Sequence, residues 1–279
     1  MAVPWRDAAG RLSWLKLLVF LALFLPALWL AARGASGDLG ARPVTEALRR
    51  CGDWTVRLLL LTLAATPARA AWNWPRAAQL RRMLGVATGL YALAHLTLYA
   101  AQQNFDLLTV ATEIALRFYL AIGFVALCGL TALLATSTDA AQRRLRAGWK
   151  KLHRLIFPIA VLALLHDFIQ SKLDVTNAAF AAGIFVWLVA WRRLPRRLQA
   201  RPWALAALAL GAGLATAAIE GTWYGLATGV PASRVLAANL RLLPWPRPAI
   251  WIALLFAATA LVAQLRQTRR RTTSVIKSG

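Results

Sequence analysis

Residues 117–135 read RFYLAIGFVALCGLTALLA, with a single charge, at the first position. As a helix rising 1.5 Å per residue this stretch is about 28 Å long, the thickness of a bilayer hydrocarbon core. Comparable windows recur at about 14–32, 53–67, 83–101, 153–169, 177–191, 202–219 and 249–265. The expected fold class is therefore all-α: a polytopic membrane helix bundle of about eight transmembrane helices. Hydrophobic residues make up 59% of the 279 positions and the mean hydropathy is +0.56, above the apolar share of soluble domains. The period-two alternation of an outer-membrane barrel is missing.

The net charge is +23. A basic balance can mark a nucleic-acid binder, but here the cations sit in short segments between apolar spans. With the N-terminus placed in the cytoplasm, the clusters Arg6–Lys16, Arg69–Arg82, Arg143–Arg154, Arg192–Arg201 and Arg266–Lys277 share one side. They hold 23 of the 33 Lys and Arg, against nine on the other side and Arg57 inside a span. This bias places both termini in the cytoplasm. Trp14–Ala32 is long enough to span and reads as a first helix or uncleaved anchor rather than a cleavable signal. Cys51 and Cys128 form no CxxC or metal spacing, and no disulfide is expected between them. Neither GxGxxG nor a P-loop is present.

Only three histidines occur: His95, His153 and His166. A histidine in an apolar span is costly without a partner or a task. The third and fifth spans run in the same direction, each starting after a basic cluster. His95 lies about 18 Å past Met83 and His166 about 20 Å past His153. Both fall beyond the midplane at nearly one level. Two parallel helices with imidazoles at matched depth can clamp a planar macrocycle, the geometry of a bis-histidine b-type haem. His153 sits at the cytoplasmic end of its span, level with Arg81 and Arg82, with no partner histidine. It either holds a second haem with a weaker ligand or touches something else at the inner face. On a regular helix it points about 140° away from His166, and Pro158 between them is a candidate kink.

Thr136-Ser-Thr-Asp139 fits a turn and helix N-cap, after which Gln142–Lys151 reads as a short amphipathic cytoplasmic helix. Trp72, Trp74, Trp149, Trp191 and Trp245 lie near span ends, where aromatic belts form. Asp167 and Glu220 read as interfacial. The Ala/Gly-rich seventh span suits close helix packing. A transporter or structural membrane protein with packing histidines is the reading from a different class. It expects broken helices and paired charges near the midplane, whereas these span cores are almost charge-free.

The segments Trp54–Pro67, Arg81-Arg-Met-Leu-Gly85, Tyr91-Ala-Leu-Ala-His95, Thr136-Ser-Thr138, Gln142-Arg-Arg-Leu145 and Trp149-Lys-Lys-Leu-His-Arg-Leu155 together resemble the MsrQ (YedZ) family of the ferric-reductase-like transmembrane superfamily. The resemblance runs over about residues 10–195 and is most specific at Trp149–Leu155 with a histidine 13 residues beyond. It implies haem-associated histidines at His95, His153 and His166, haem b and, in association with the family, FMN. It implies an electron-transfer subunit of an oxidoreductase complex in the bacterial inner membrane. Electrons would come from the quinone pool or a cytoplasmic flavin reductase and pass to MsrP, a periplasmic molybdopterin subunit that reduces methionine sulfoxide in proteins. A haem-dependent ferric or quinone reductase with another partner is the alternative. The expected division is a haem-binding domain at 1–199, with six spans, and a two-helix membrane extension with a basic tail at 200–279, outside the family pattern.

Overall fold

The structure is a computed structural model that describes residues 5–6, 10–71, 74–243 and 245–278, with side chains throughout these except at 267 and 269–278. Trp72 and the side chains of Arg269, Arg270, Arg271 and Lys277 lie outside the described residues. The helices are α1 Trp14–Ala22, α2 Leu25–Ala35, α3 Pro43–Ala71, α4 Ala77–Gln102, α5 Leu107–Leu116, α6 Phe118–Ala135, α7 Asp139–Leu145, α8 Ala147–His153, α9 Ile156–Ser171, α10 Thr176–Arg193, α11 Pro202–Thr228, α12 Ala232–Asn239 and α13 Pro248–Ser278. Among the described residues no strand forms, and Arg6 and Leu12 make one isolated bridge. The protein is an all-α polytopic membrane bundle.

Among the described residues six segments are long and apolar enough to cross a membrane: Trp14–Ala35, Ala77–Gln102, Phe118–Ala135, Ala147–Ser171, Pro202–Thr228 and Pro248–Arg266. The expected spans 53–67 and 177–191 are helical too, inside α3 and α10. The first carries Asp53 and Arg57, the second runs into Arg192 and Arg193 at the end of α10, and both are well buried. On α10, Ala178, Ala179, Ala182, Trp187, Leu188 and Trp191 are all enclosed. A helix shielded from lipid by protein needs less apolar surface. On α3, Arg57 sits one turn from Asp53 at 3.8 Å and over the Trp54 ring.

Breaks within the spans have local causes. In the first span Pro26 follows the α1–α2 junction, and the Tyr91 hydroxyl enters the ladder there. It donates to Leu23 O at 2.8 Å and accepts from Ala27 N at 3.2 Å, replacing the bond those two groups would otherwise share. The fifth span divides into α8 and α9 at Arg154–Leu155, ahead of Pro158. That proline falls in the first turn of α9, where a missing N–H costs nothing. Thr138 caps α7 by accepting from Ala141 N at 3.1 Å, as the Ser/Thr/Asp cluster predicts. The basic run that reads as one helix is two, because Arg146 takes φ +46° between α7 and α8.

The chain forms two compact units, Met1–Thr62 with Leu80–Gln170, and Leu63–Gln79 with Ser171–Gly279. In the second unit α11 packs against α10, α12 and α13. Its small residues allow close approach: a Cβ on Gly213 would lie 3.0 Å from Ala249 O. Trp187 stacks on Phe256 with centroids 4.1 Å apart. Pro67 cannot donate to Leu63 O, and Arg192 supplies that carbonyl with a donor. Glu220, expected to be interfacial, is instead fully buried within α11. It is paired with Arg247 and accepts from Asn239 Nδ2 at 2.7 Å.

Candidate functional site

All three histidines belong to the first unit. His95 lies on α4 seven residues before its end, and His166 on α9 five residues before its end. α3 and α6 begin at that same end of the unit. The structure brings the two imidazoles together, with ring centroids 6.4 Å apart and planes at 86°.

Each ring is held by the same device. His95 Nδ1 meets the Leu48 carbonyl of α3 at 3.0 Å, and one turn further along α3 stands Gly52. A Cβ there would lie 3.0 Å from His95 Cε1. His166 Nδ1 meets the Tyr119 carbonyl of α6 at 2.8 Å, and one turn further stands Gly123. A Cβ there would lie 2.7 Å from His166 Nδ1. The glycines are what let each ring lie against the neighbouring helix backbone. A carbonyl can only accept, so each Nδ1 carries the proton and each Nε2 keeps its lone pair. A buried imidazole with Nδ1–H on a backbone carbonyl and Nε2 bare is the arrangement of a metal ligand.

The residues fit a haem iron by spacing as well. Two collinear metal–nitrogen bonds of about 2 Å, plus the radii of two five-membered rings, place the ring centroids about 6 Å apart. Among the described residues no group of three or more His, Cys, Asp or Glu could hold a metal ion. The pair offers two imidazoles, a donor set that suits an iron whose remaining ligands come from a macrocycle.

His153 is not brought to this pair. Its Nε2 lies 3.2 Å from Thr136 Oγ1, and the Trp149 indole stacks on it at 3.9 Å while donating to Thr136 O at 2.9 Å. Thr136 follows the last residue of α6 and Tyr119 is near its first, so the two ends are about 25 Å apart. To ligate a metal, His153 would have to surrender the Thr136 contact or use Nδ1. Trp149 is therefore a wall of the His153 cluster. Trp191 is also enclosed, with Nε1 donating to Gln199 O at 3.0 Å. Asp167 lies within electrostatic reach of Asp53 and Arg57 on α3. Cys51 and Cys128 are free.

Sequence reasoning missed Leu48, Gly52, Tyr119 and Gly123. A signal was present: 43 residues separate Gly52 from His95, and 43 separate Gly123 from His166.

Fold and site define an α-helical membrane protein with a paired-histidine centre between helices. In agreement, the family model described as ferric reductase like transmembrane component matches residues 51–164. The chain belongs, more narrowly, to the MsrQ family. It is 40% identical over 192 residues to the protein-methionine-sulfoxide reductase heme-binding subunit MsrQ of Rhodospirillum rubrum, covering 68% of this chain and 90% of that protein. The MsrQ of Xanthomonas campestris pv. campestris is 42% identical over 62% of this chain and 79% of its own length. That of Polaromonas naphthalenivorans is 39% identical over 66% and 88%. No solved structure matches the chain.

Proposed function

We propose that the chain is the haem-binding membrane subunit of a protein-methionine-sulfoxide reductase, with His95 and His166 as axial ligands of a b-type haem. One observation carries the assignment of the residues: two imidazoles with centroids 6.4 Å apart, each anchored through Nδ1. When bound, the haem supplies reversible one-electron transfer within a low-dielectric bundle. The protein's part is to hold ring orientation and tautomer through Leu48 and Tyr119, and to admit the rings against Gly52 and Gly123.

In this proposal both termini are cytoplasmic, the membrane is the bacterial inner membrane and the pair lies toward the periplasm. Electrons enter from the quinone pool or a cytoplasmic flavin reductase and leave to the molybdopterin subunit MsrP. His153, with Thr136 and Trp149, belongs to the inner end of the same path, where a second haem would bind; FMN is the further cofactor of the proposal, with no residues assigned to it. The domain division at residue 199 stands as part of the same proposal. A second reading, a haem-dependent ferric or quinone reductase with another partner, is favoured by one observation: the matched relative covers 68% of this chain.

The test is a reduced-minus-oxidised spectrum of the purified protein. A low-spin b-type signal is expected, lost in His95→Ala and in His166→Ala. A protein that stays colourless after haem supplementation refutes the proposal. Co-purification with MsrP from membranes separates the two partner readings.

A further inference from the structure

Tyr91 and Tyr99 flank His95 on α4, one turn to either side. Residues four apart share a helix face. The Tyr91 hydroxyl is fully used by Leu23 and Ala27. The Tyr99 hydroxyl is buried and has no hydrogen-bond partner, and Gln103 lies beside it without the geometry of a bond. A buried phenol left unbonded costs stability unless a partner arrives. Tyr99 is about 6 Å further along the axis than His95, toward the end where the pair lies.

The surroundings say what kind of partner. Glu113 of α5, with Arg117 and Tyr119 at the start of α6, are within electrostatic reach of Tyr99. Arg117 pairs with Glu113 and donates to the Tyr119 hydroxyl at 3.1 Å. Tyr119 is also the residue whose carbonyl holds His166. So the unbonded hydroxyl lies one turn from His95 and within electrostatic reach of Arg117, while Arg50 at the start of α3 is paired with Glu46. In the other direction along α4 from His95, the buried residues are the apolar Ala92 and Ala87 with Thr88. Along α4, an apolar group with an acidic edge bound between the histidines finds its open donor on the Tyr99 side. Carboxylates in a membrane need donors and a counter-charge.

Resting on the haem reading above, we propose that Tyr99 donates its hydrogen bond to a carboxylate of the bound haem, with Arg117 as the nearby counter-charge. Tyr99 is then a positioning residue that also sets the iron's electrostatic surroundings. An ionised carboxylate near the iron favours the ferric state, and a donor spreads that charge. Removing the donor lowers the midpoint potential and speeds haem release.

The experiment compares Tyr99→Phe with Tyr91→Phe in full-length protein, by potentiometric titration and by haem transfer to an apo-acceptor. Tyr99→Phe is expected to keep the low-spin spectrum, to titrate at a lower potential, and to release haem about tenfold faster, the weight of one hydrogen bond to a charged group. Tyr91→Phe, which loses a bond between helices, is expected to match wild type in both. If Tyr99→Phe matches wild type in both with haem retained, the inference fails and the histidine pair stands. If wild-type protein holds no haem, the inference and the reading beneath it fail together.

Discussion

Placing a methyl group on Gly123 tests the site at its tightest point. The new Cβ would lie 2.7, 2.8 and 3.0 Å from His166 Nδ1, Cε1 and Cγ. Carbon contacts settle at about 3.5–4.0 Å, so the ring must retreat by about 0.7–1 Å. The Nδ1–Tyr119 O distance is 2.8 Å. A retreat of that size takes it to about 3.5 Å or more, outside hydrogen-bonding range. One lost bond costs about 1 kcal/mol and overpacking about 1–3 kcal/mol. Together that is about 2–4 kcal/mol, or roughly 30- to 1000-fold in haem affinity. At Gly52 the same methyl meets His95 at 3.0 and 3.1 Å. A shift of about 0.5 Å relieves it and takes the 3.0 Å Nδ1–Leu48 O bond to about 3.5 Å, the edge of hydrogen-bonding range, for a loss of about 1–2 kcal/mol, about 5- to 30-fold. Haem titration of the apoprotein measures both, with thermal unfolding of each apoprotein as the folding control. Gly123→Ala is expected to be the weaker binder of the two, because its contacts are shorter. Equal affinities, or a worse Gly52→Ala, would refute ring-on-glycine packing as what sets the site.

Asp139 offers a pH handle outside the spans. A hydrogen bond from Arg82, and then that guanidinium's charge, hold its carboxyl below the usual carboxylate range. Because the folded value is depressed, the clasp is intact above the ordinary carboxylate value of about 3.9 and is lost as pH falls through the folded value. Proteolysis near Arg146 is expected to increase only in acid for wild type and already at neutral pH in Asp139→Asn; equal cleavage of the two at neutral pH counts against the clasp. In the second unit, Arg247→Met leaves the fully buried Glu220 carboxylate without its cation. It is expected to cost about 3 kcal/mol, the lower end for a buried pair because Arg247 reaches solvent. Glu220→Gln keeps a side-chain partner for Asn239 and should cost less, as read by thermal unfolding in detergent; the reverse order would count against the pair.

The apolar windows disclosed the class of fold because span length depends on bilayer thickness, a property of the solvent that local sequence must match. Window 117–135 agrees with α6 to one residue. Ends set by distant partners were not legible. α11 continues to Thr228 through Glu220, which reads as a polar stop until Arg247 and Asn239 are seen to close on it. α3 begins ten residues before its expected span, and Glu46 and Arg50 pair along the added turns outside the apolar window. The meeting of His95 and His166 could be anticipated from depth alone. Their supports could not, since a glycine in a membrane helix has many uses and a carbonyl acceptor leaves no trace in residue identity. Thr136 read as part of a cap, and its contact with His153 depends on where α8 returns to the end of α6.

The two supports share one arithmetic. Forty-seven residues separate carbonyl from imidazole in Leu48–His95 and again in Tyr119–His166, and the glycine follows the carbonyl by four in each. α3 and α6 start at one end, and α4 and α9 return to it. Each return places its histidine opposite the opening turns of the outgoing helix. The common level of the two imidazoles therefore follows from two equivalent helix pairs, and it does not require the long connections between them to match. Those connections differ: residues 72–76 link α3 to α4, whereas α7 and α8 lie between α6 and α9. Residues added to a connection leave helix registry free to recover. One residue added within α4 between Gly89 and His95 turns the imidazole by about 100° and shifts it by about 1.5 Å, which takes Nδ1 off Leu48 and the ring out of its place beside His166. The site is thus sensitive to helix phase and tolerant of loop length, which is why so different a pair of connections can serve one centre.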